Sequence, residues 1–221
     1  MSLQILVPCK SLSGGKSRLA PVIDEEERHA LSALLLENTL RLATSLVPAS
    51  RCHVVTGDSE VVYKAIRFGV MTIVDPGSGL NDALQAGRKY ISARASQFDL
   101  LVLPIDLPMA TPELLMALTQ LKADVAIVPD RDLDGTNALY LNRHAAPEFK
   151  FKFGKRSFTA HHKAAKAKGF NVMIFGNTEL AFDLDLPEHL TGLRKAGCPG
   201  LPMPKANNPR RLAGTFTGAL R

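Results

Sequence analysis

The sequence lacks tryptophan, has only three cysteines, and contains no apolar run close to the length of a membrane-spanning helix. Such a helix needs about 20 consecutive apolar residues, and the opening MSLQILVPCK passes directly into a strand pattern without the features of a signal peptide. Cys9, Cys52 and Cys198 are widely spaced, and none belongs to a Cys-x-x-Cys pair. These absences argue against a disulfide framework, a zinc ribbon and a membrane protein. We expect a cytoplasmic chain with free thiols.

Acidic side chains are also missing from residue 194 onward, where six basic residues stand among prolines and glycines. The formal net charge is +6, and the preceding residues carry 21 basic and 21 acidic side chains. Because the whole excess of positive charge lies in this last segment, we do not expect nucleic acid as a partner. We predict one domain over residues 1–193 and a basic Pro/Gly-rich tail over residues 194–221. A partner-binding arm is the alternative for the tail.

Continuous apolar runs alternate with helical patterns through the first 130 residues. The runs lie at 3–7, 52–56, 70–74, 99–104 and 124–129, and the helical patterns at 25–46, 58–68, 80–95 and 112–121. Short apolar runs bounded by Gly, Pro or Asp are typical of parallel strands buried on both faces. The alternation predicts an α/β fold, a doubly wound, mostly parallel sheet with helices on both faces. Ligands bind such sheets beyond the carboxyl ends of the strands.

The pattern is looser after residue 130. We predict strands at 137–141, 151–153, 170–175 and 182–186 and a helix near 157–168. The segment DRDLDG at 130–135 fits the first half of a calcium loop, but the twelfth position is Leu141 instead of the bidentate glutamate. We therefore reject a calcium site and expect this half of the chain to supply a substrate pocket.

The loop after the first strand, PCKSLSGGKSRLAP, combines glycines with cations. Lys10, Lys16 and Arg18 surround Gly14 and Gly15. Glycines let backbone amides approach an anion closely, and the cations would neutralise phosphate charge. The loop is not a Walker A motif, because that motif needs glycine at the position of Lys10. It predicts a phosphate site, with a solvated basic turn as the alternative.

Two acidic segments follow predicted strands. LVLPIDLP places Asp106 just past the sheet edge, and FDLDLPEHL places Asp183 and Asp185 on one face of a predicted strand. Carboxylates from separate segments can hold Mg²⁺ together with substrate phosphates and water. Each aspartate alone would more often be a turn or cap residue, but their combination with a basic glycine loop favours a metal-assisted phosphate site.

Together these segments resemble the 2-phospho-L-lactate guanylyltransferase family, which includes the phosphoenolpyruvate and 3-phosphoglycerate guanylyltransferases of deazaflavin coenzyme (F-420) biosynthesis. The resemblance covers about residues 3–190 and is carried by VPCKSLSGGKSRLAPV, GLNDAL, LPIDLP, and GTNALYL with FGKRSFTAHHKAA. It implies a nucleotide-diphospho-sugar-transferase-like fold and transfer of a nucleoside monophosphate, GMP foremost, from an NTP to a phosphorylated three-carbon acid. A homodimer would also fit.

The resemblance implies a role for each matching residue. Lys10, Lys16 and Arg18 with Gly14 and Gly15 would hold the triphosphate, with Lys16, Arg18 and Asp106 catalytic. Asn81 and its loop would contact the nucleoside. Asp106 and Asp185, with Asp183 as a further candidate, would hold Mg²⁺. On the acceptor side the implied residues are Thr136, Gly154, Ser157 and the nearby His161.

Lys155-Arg156 depart from the family's usual Pro-Gly. Because arginine disfavours positive φ, we expect the local turn to differ, and Arg156 could bind the acid group of the acceptor. The alternative is that the side chains of Lys155 and Arg156 both point to solvent.

Two other functions fit the same residues. One is a nucleotidyltransferase of this fold that acts on a sugar phosphate or a molybdopterin-type acceptor. The other is a nucleotide-binding protein without catalytic activity.

Overall fold

The computed structural model of the chain describes residues 2–196. Within this range one sheet contains seven strands, which are β1 (Leu3–Pro8), β2 (Cys52–Thr56), β3 (Met71–Val74), β4 (Asp99–Val102), β5 (Val125–Pro129), β6 (Thr136–Leu141) and β7 (Val172–Ile174). The helices are α1 (Glu25–Leu46), α2 (Ser59–Arg67), α3 (Leu80–Ser92), α4 (Pro112–Thr119), α5 (Ser157–Ala167) and α6 (Pro187–Ala196). Short 3₁₀ turns lie at Ser17–Leu19 and Ala49–Arg51. None of the described helices is long and apolar enough to cross a membrane.

The strand order is β3-β2-β1-β4-β6-β5-β7. β6 is antiparallel to both β4 and β5, and the other pairings are parallel. Six strands therefore end at one edge of the sheet, and β6 begins at that same edge. The predicted doubly wound, mostly parallel sheet is confirmed, and the carboxyl edge is where ligands are expected to bind.

Each face of the sheet has its own core, because successive side chains of a strand point in opposite directions. Ile5 and Val7 pack with α1, α2 and α4, whereas Leu6 packs with α3 and α5. Gly87 of α3 allows the closest approach to the sheet, since a Cβ there would lie 2.6 Å from Leu6 Cδ1 and 2.9 Å from Val55 Cγ2. The continuous apolar runs of the strands are explained by this burial on both faces.

Helix starts follow from local capping. Asp24 accepts a hydrogen bond from the amide of Glu27, whose side chain accepts one from the amide of Asp24, and this capping box begins α1. Thr111 caps α4, and Pro112 occupies its first turn. Both starts agree with the sequence pattern.

Two predicted strands are wrong. Residues 182–186 are irregular because Phe182 and Leu184 bury themselves against the start of α1, and the amide of Leu184 donates to the carbonyl of Asp106 instead of to a strand. Asp183 and Asp185 therefore do not share a strand face. Residues 151–153 are also irregular, because two of their amides bond to side chains.

Helix α6 was not predicted, although Pro187 opens it and Leu190 and Leu193 pack its inner side. It continues to Ala196, three residues past the predicted boundary at 193. The rest of the predicted basic tail lies outside the described residues.

Candidate active site

The glycine-containing loop between β1 and α1 is fixed by a neighbouring helix start. Oδ2 of Asp58 accepts hydrogen bonds from Ser11 Oγ (2.9 Å) and from the amide of Leu12 (3.1 Å). Oδ1 of Asp58 accepts from the amide of Glu60 at 2.8 Å and caps α2. Partial burial raises the pKa of Asp58, but these hydrogen bonds outweigh it, so the net pKa is lowered. One carboxylate thus holds both the loop and the helix.

Lys16 connects the loop to the two acidic segments by ion pairs. Its backbone is left-handed, with φ 57°, and its side chain is only 7% exposed. Its Nζ lies 3.5 Å from Asp106 Oδ2 and 4.0 Å from Asp185 Oδ1. Nη1 of Arg18 donates to Asp185 Oδ2 at 2.6 Å. The structure therefore gathers four residues that the sequence singled out from three separate segments.

Asp183 lies beside this cluster, and the ionised form of its carboxyl group is disfavoured there. Burial raises the pKa of its carboxyl group, and the negative charges of Asp106 and Asp185 raise it further. Such a group gains from a nearby divalent cation. Within residues 2–196, however, no three His, Cys, Asp or Glu side chains are already arranged as a metal site. The donor set fits Mg²⁺, which takes few protein oxygens and completes its shell with phosphate and water.

Lys10 and Gly14 lie on the exposed side of the same loop. Within the described residues Lys10 has no ion-pair partner, so its charge is available to an anion. Gly15 has little space around it, because a Cβ there would lie 3.1 Å from Ser32 Oγ of α1. Glycine at position 15 lets the loop lie against the helix.

Thr136, at the start of β6, and His161, in α5, are hydrogen-bonded to each other. Thr136 Oγ1 lies 2.9 Å from His161 Nδ1, and the amide of Lys152 donates to His161 Nε2 at 2.9 Å. Desolvation of the fully buried ring, with a smaller contribution from the charge of Lys152, lowers the pKa of His161 to about 4. The imidazole is therefore neutral at physiological pH.

Ser157 and Gly154 form the turn that begins α5. The amide of Ser157 donates to the carbonyl of Gly154, whose φ of 124° is open to glycine and strained for other residues. Ser157 is 2% exposed, and no hydrogen bond of its hydroxyl is found within the described residues. This hydroxyl therefore has unused hydrogen-bonding capacity beside the Gly154 turn.

Arg156 corrects an expectation from the sequence. We expected arginine in place of glycine to change the turn, but Arg156 adopts the left-handed conformation itself, with φ 56°. Its amide donates to Asp134 Oδ2 at 3.1 Å, and the amide of Phe158 donates to the carbonyl of Asp134. These bonds hold the strained turn, and the Arg156 side chain is left exposed.

Asn81 lies where the sequence placed it, at the start of α3, but its amide group is occupied. Its Nδ2 donates to the carbonyl of Phe153 at 3.0 Å, and its Oδ1 accepts from the amide of Phe153 at 2.8 Å. The structure thus joins Asn81 to the segment that precedes α5. A contact between Asn81 and a nucleoside stays a prediction.

Sequence reasoning missed Asp58 and Asp134 as residues that hold the site. Asp58 stands directly before the helical pattern SEVVYK, which is the position of an N-cap. That signal identifies the cap, but not the contact with a loop 46 positions earlier. Asp134 was considered only as part of a calcium-like pattern.

Comparisons with known proteins identify the family to which the chain is similar. The family described as "Guanylyl transferase CofC like" matches residues 3–197. A phosphoenolpyruvate guanylyltransferase of Rubrobacter xylanophilus is 36% identical over 89% of this chain and 96% of its own length. A 3-phospho-D-glycerate guanylyltransferase of Phenylobacterium zucineum is 32% identical over 84% of this chain and 86% of its own length. A 2-phospho-L-lactate guanylyltransferase of Methanosphaera stadtmanae is 27% identical, with 84% and 80% covered.

Among solved structures, a protein of Desulfovibrio desulfuricans G20 assigned to the nucleotide-diphospho-sugar transferases has a TM-score of 0.69 at 16% identity, covering 89% of this chain and 88% of that one. A CMP:2-keto-3-deoxy-manno-octonic acid synthetase, solved with CTP, has a TM-score of 0.58 at 14% identity, with 89% and 98% covered. These two likenesses support the fold alone. By its sequence match over nearly all described residues, the chain belongs to the CofC-like guanylyl transferase family.

Proposed function

We propose that this protein transfers GMP from GTP to a phosphorylated three-carbon acid and releases pyrophosphate. The observation that carries the proposal is the cluster of Lys16, Arg18, Asp106 and Asp185 at the carboxyl edge of the sheet. Thr136 begins β6 at that same edge. A cluster of mixed charge beside neutral hydrogen-bonding groups suits a reaction between two anions. The names of the relatives support phosphoenolpyruvate, phospholactate or phosphoglycerate as the acceptor.

The reaction needs charge control more than it needs a base. A phosphomonoester has its second pKa near ~6, so its oxygen is already nucleophilic at neutral pH. That oxygen attacks the α-phosphorus of GTP, a new phosphoanhydride bond forms, and the bond to the β-phosphate oxygen breaks as pyrophosphate leaves. Lys16 and Arg18 offset the repulsion between the two anions and the charge that develops on the leaving group.

Mg²⁺ is part of the proposal, with Asp106 and Asp185 as its protein ligands and Asp183 as a further candidate. The raised pKa of Asp183 beside two other carboxylates supports a cation at this place. When bound, Mg²⁺ would supply Lewis acidity at the phosphate oxygens. Lys16 lies between Asp106 and Asp185, and together with Arg18 it offsets their charges.

Acceptor binding is assigned to the turn before α5 and to β6. The hydroxyl groups of Ser157 and Thr136 would donate to the acceptor phosphate, and Arg156 would contact its carboxylate. Arginine suits a carboxylate because its planar fork allows two parallel hydrogen bonds. A place in deazaflavin coenzyme (F-420) biosynthesis is the physiological part of the proposal.

The proposal is tested by pyrophosphate release with Mg²⁺, using GTP, ATP, CTP and UTP against phosphoenolpyruvate, phospho-L-lactate, 3-phosphoglycerate and glucose 1-phosphate. We expect release with GTP and at least one of the three acids. Release with the sugar phosphate alone would move the protein to another acceptor class. Nucleotide binding without release in any combination would contradict an enzymatic function.

A further inference from the structure

Residues 152 and 153 are held by side chains from two different helices. The amide of Lys152 donates to His161 Nε2 of α5, and the amide of Phe153 donates to Asn81 Oδ1 of α3. The carbonyl of Phe153 accepts from Asn81 Nδ2 in return. Because Gly154 follows at once, the turn that presents Ser157 is anchored directly through these contacts.

The hydrogen bonds fix which nitrogen of His161 carries a proton. Nε2 accepts from a backbone amide and so carries none, and a neutral ring must then be protonated at Nδ1. Nδ1 therefore donates to Thr136 Oγ1, which leaves the Thr136 hydroxyl hydrogen free to point elsewhere. Phe153 and Phe149 hold the ring in this orientation, with centroids 4.7 and 5.8 Å away.

Asn81 joins this arrangement to the nucleotide side. It lies in the first turn of α3, directly after the glycine-containing segment that follows β3. Its two hydrogen bonds to Phe153 have lengths of 3.0 and 2.8 Å and bridge 72 positions of sequence. A movement at the start of α3 would therefore reach the turn before Ser157.

We propose that Asn81 and His161 are positioning residues that clamp residues 152 and 153, and that they orient the acceptor site without contacting substrate. His161 makes the Thr136 hydroxyl a donor toward the acceptor phosphate, and Asn81 holds the Gly154 turn in register with α3. The kinetic consequences rest on the proposed guanylyl transfer, whereas the clamp itself is a property of the fold.

Two substitutions separate the bonds of the imidazole. His161→Asn keeps a donor near the Nδ1 position but loses the acceptor for the amide of Lys152. His161→Gln keeps an acceptor near the Nε2 position but loses the donor to Thr136. Asn81→Ala removes both hydrogen bonds to Phe153. Matched controls are His53→Gln, at a buried histidine bonded to Gln4, and Asn171→Ala, at an asparagine bonded to the carbonyl of Lys122.

Hydrogen exchange tests the clamp without any substrate. We expect protected amides at Lys152 and Phe153 in the unmodified protein, because both are hydrogen-bonded. His161→Asn should expose the amide of Lys152, Asn81→Ala that of Phe153, and His161→Gln should leave Lys152 protected. The control variants should change neither amide. Unchanged protection in both His161→Asn and Asn81→Ala would overturn the clamp.

Kinetics with GTP and phosphoenolpyruvate test its role. We expect each His161 variant, which loses one buried hydrogen bond, to raise KM for phosphoenolpyruvate about tenfold, and Asn81→Ala, which loses two, to raise it at least as much, with little change in KM for GTP. A rise in KM for GTP in Asn81→Ala that equals or exceeds the rise for phosphoenolpyruvate would overturn the positioning role. If the unmodified protein has no transferase activity, the proposed function fails, and the clamp is decided by hydrogen exchange alone.

Discussion

Two loops of the site each place a cation in the left-handed region of the backbone, but their surroundings differ. Lys16 has φ 57° and Arg156 has φ 56°, and each directly precedes a helical turn. The side chain of Lys16 is buried between Asp106 and Asp185, whereas Arg156 is exposed and has no ion pair in the described part of the chain. The strained backbone at Lys16 therefore positions a buried charge, and the strained backbone at Arg156 positions the helix start.

The two sides of the site also differ in the kind of contact that holds them. Ion pairs connect Lys16 and Arg18 to the aspartates, so under the proposed function this cluster would rearrange when phosphates bind. Thr136 and His161 are held by neutral hydrogen bonds in a buried place. The cluster around Lys16 and Arg18 can therefore exchange its ionic partners, whereas the contacts of Thr136 and His161 are already formed. The predictions below test this difference.

Asp106→Asn should have the largest effect. The change keeps the size of the side chain but removes the charge that pairs with Lys16 and would hold Mg²⁺. We expect turnover to fall about a thousandfold or more, because electrostatic stabilisation acts mainly in the transition state. Turnover is measured as pyrophosphate release, and circular dichroism checks that the fold is intact. Near-normal turnover would contradict the assignment of Asp106.

Lys16→Gly separates the charge of Lys16 from its backbone geometry. Glycine accepts φ 57° without strain, so the loop should keep its shape while the cation is lost. We expect kcat to fall about a hundredfold, and the relief of the left-handed strain to offset part of the stability lost with the ion pairs to Asp106 and Asp185. The matched variant Lys16→Arg should retain part of the turnover. If Lys16→Gly altered only the KM of the acceptor, Lys16 would belong to the other side of the site.

Asp58 tests how the phosphate loop is held. Asp58→Ala removes the helix cap together with the anchor of Ser11 and Leu12, and should cost about 1 to 2 kcal/mol of stability and raise KM for GTP. Asp58→Asn keeps much of the capping and should cost less. An unchanged KM for GTP in Asp58→Ala would mean that nucleotide binding does not depend on the anchoring of the loop by Asp58.

The pH dependence of stability provides a second readout at Asp58. Its pKa is lower in the folded protein than in the unfolded chain, so its ionised form stabilises the fold above the unfolded pKa, and this contribution is lost as pH falls through the folded value. The stability difference between the unmodified protein and Asp58→Asn should therefore shrink as the pH is lowered from 7 toward 3. Denaturant unfolding at several pH values measures it.

Much of the architecture could be predicted, because buried parallel strands appear as apolar runs and Asp106 follows one of them. The wrong assignment at 182–186 has a physical reason, since the alternating Phe182 and Leu184 can bury their side chains from an irregular segment as well as from a strand. The bonding of Asn81 and His161 was hidden for another reason. Sequence identifies a polar side chain near a motif, but not whether the backbone of a distant segment already satisfies it.

Several predictions stay untested by the structure. Among them are Mg²⁺ binding, the roles of the site residues, the cytoplasmic location, the homodimer and the basic tail, most of which lies outside the described residues. They depend on partners or on chain segments that the fold of residues 2–196 does not contain. The contact of Asn81 with a nucleoside also stays a prediction. The competing assignment is a positioning role through its two hydrogen bonds to Phe153, which the Asn81→Ala variant tests.

Arg156→Gly should have the smallest effect on the free energy of unfolding. Unlike most substitutions, it should raise this free energy. Glycine accepts φ 56° without the steric cost of a Cβ, so relief of the left-handed strain should raise the free energy of unfolding by about 1 kcal/mol. The greater freedom of glycine in the unfolded chain offsets part of this gain. Thermal and denaturant unfolding measure the change, and Arg156→Ala, which keeps the Cβ but loses the charge, is the control.

The same variants decide what the Arg156 side chain does. If its guanidinium binds the acceptor carboxylate, Arg156→Gly and Arg156→Ala should both raise KM for phosphoenolpyruvate on the order of tenfold or more, the loss of a charged hydrogen bond, while KM for GTP stays unchanged. Stability should rise only in the glycine variant, because alanine keeps the strained Cβ. An unchanged KM for every acid in both variants would mean that Arg156 serves the turn alone, and that the acceptor is held by the Ser157 and Thr136 hydroxyls without a cation from this loop.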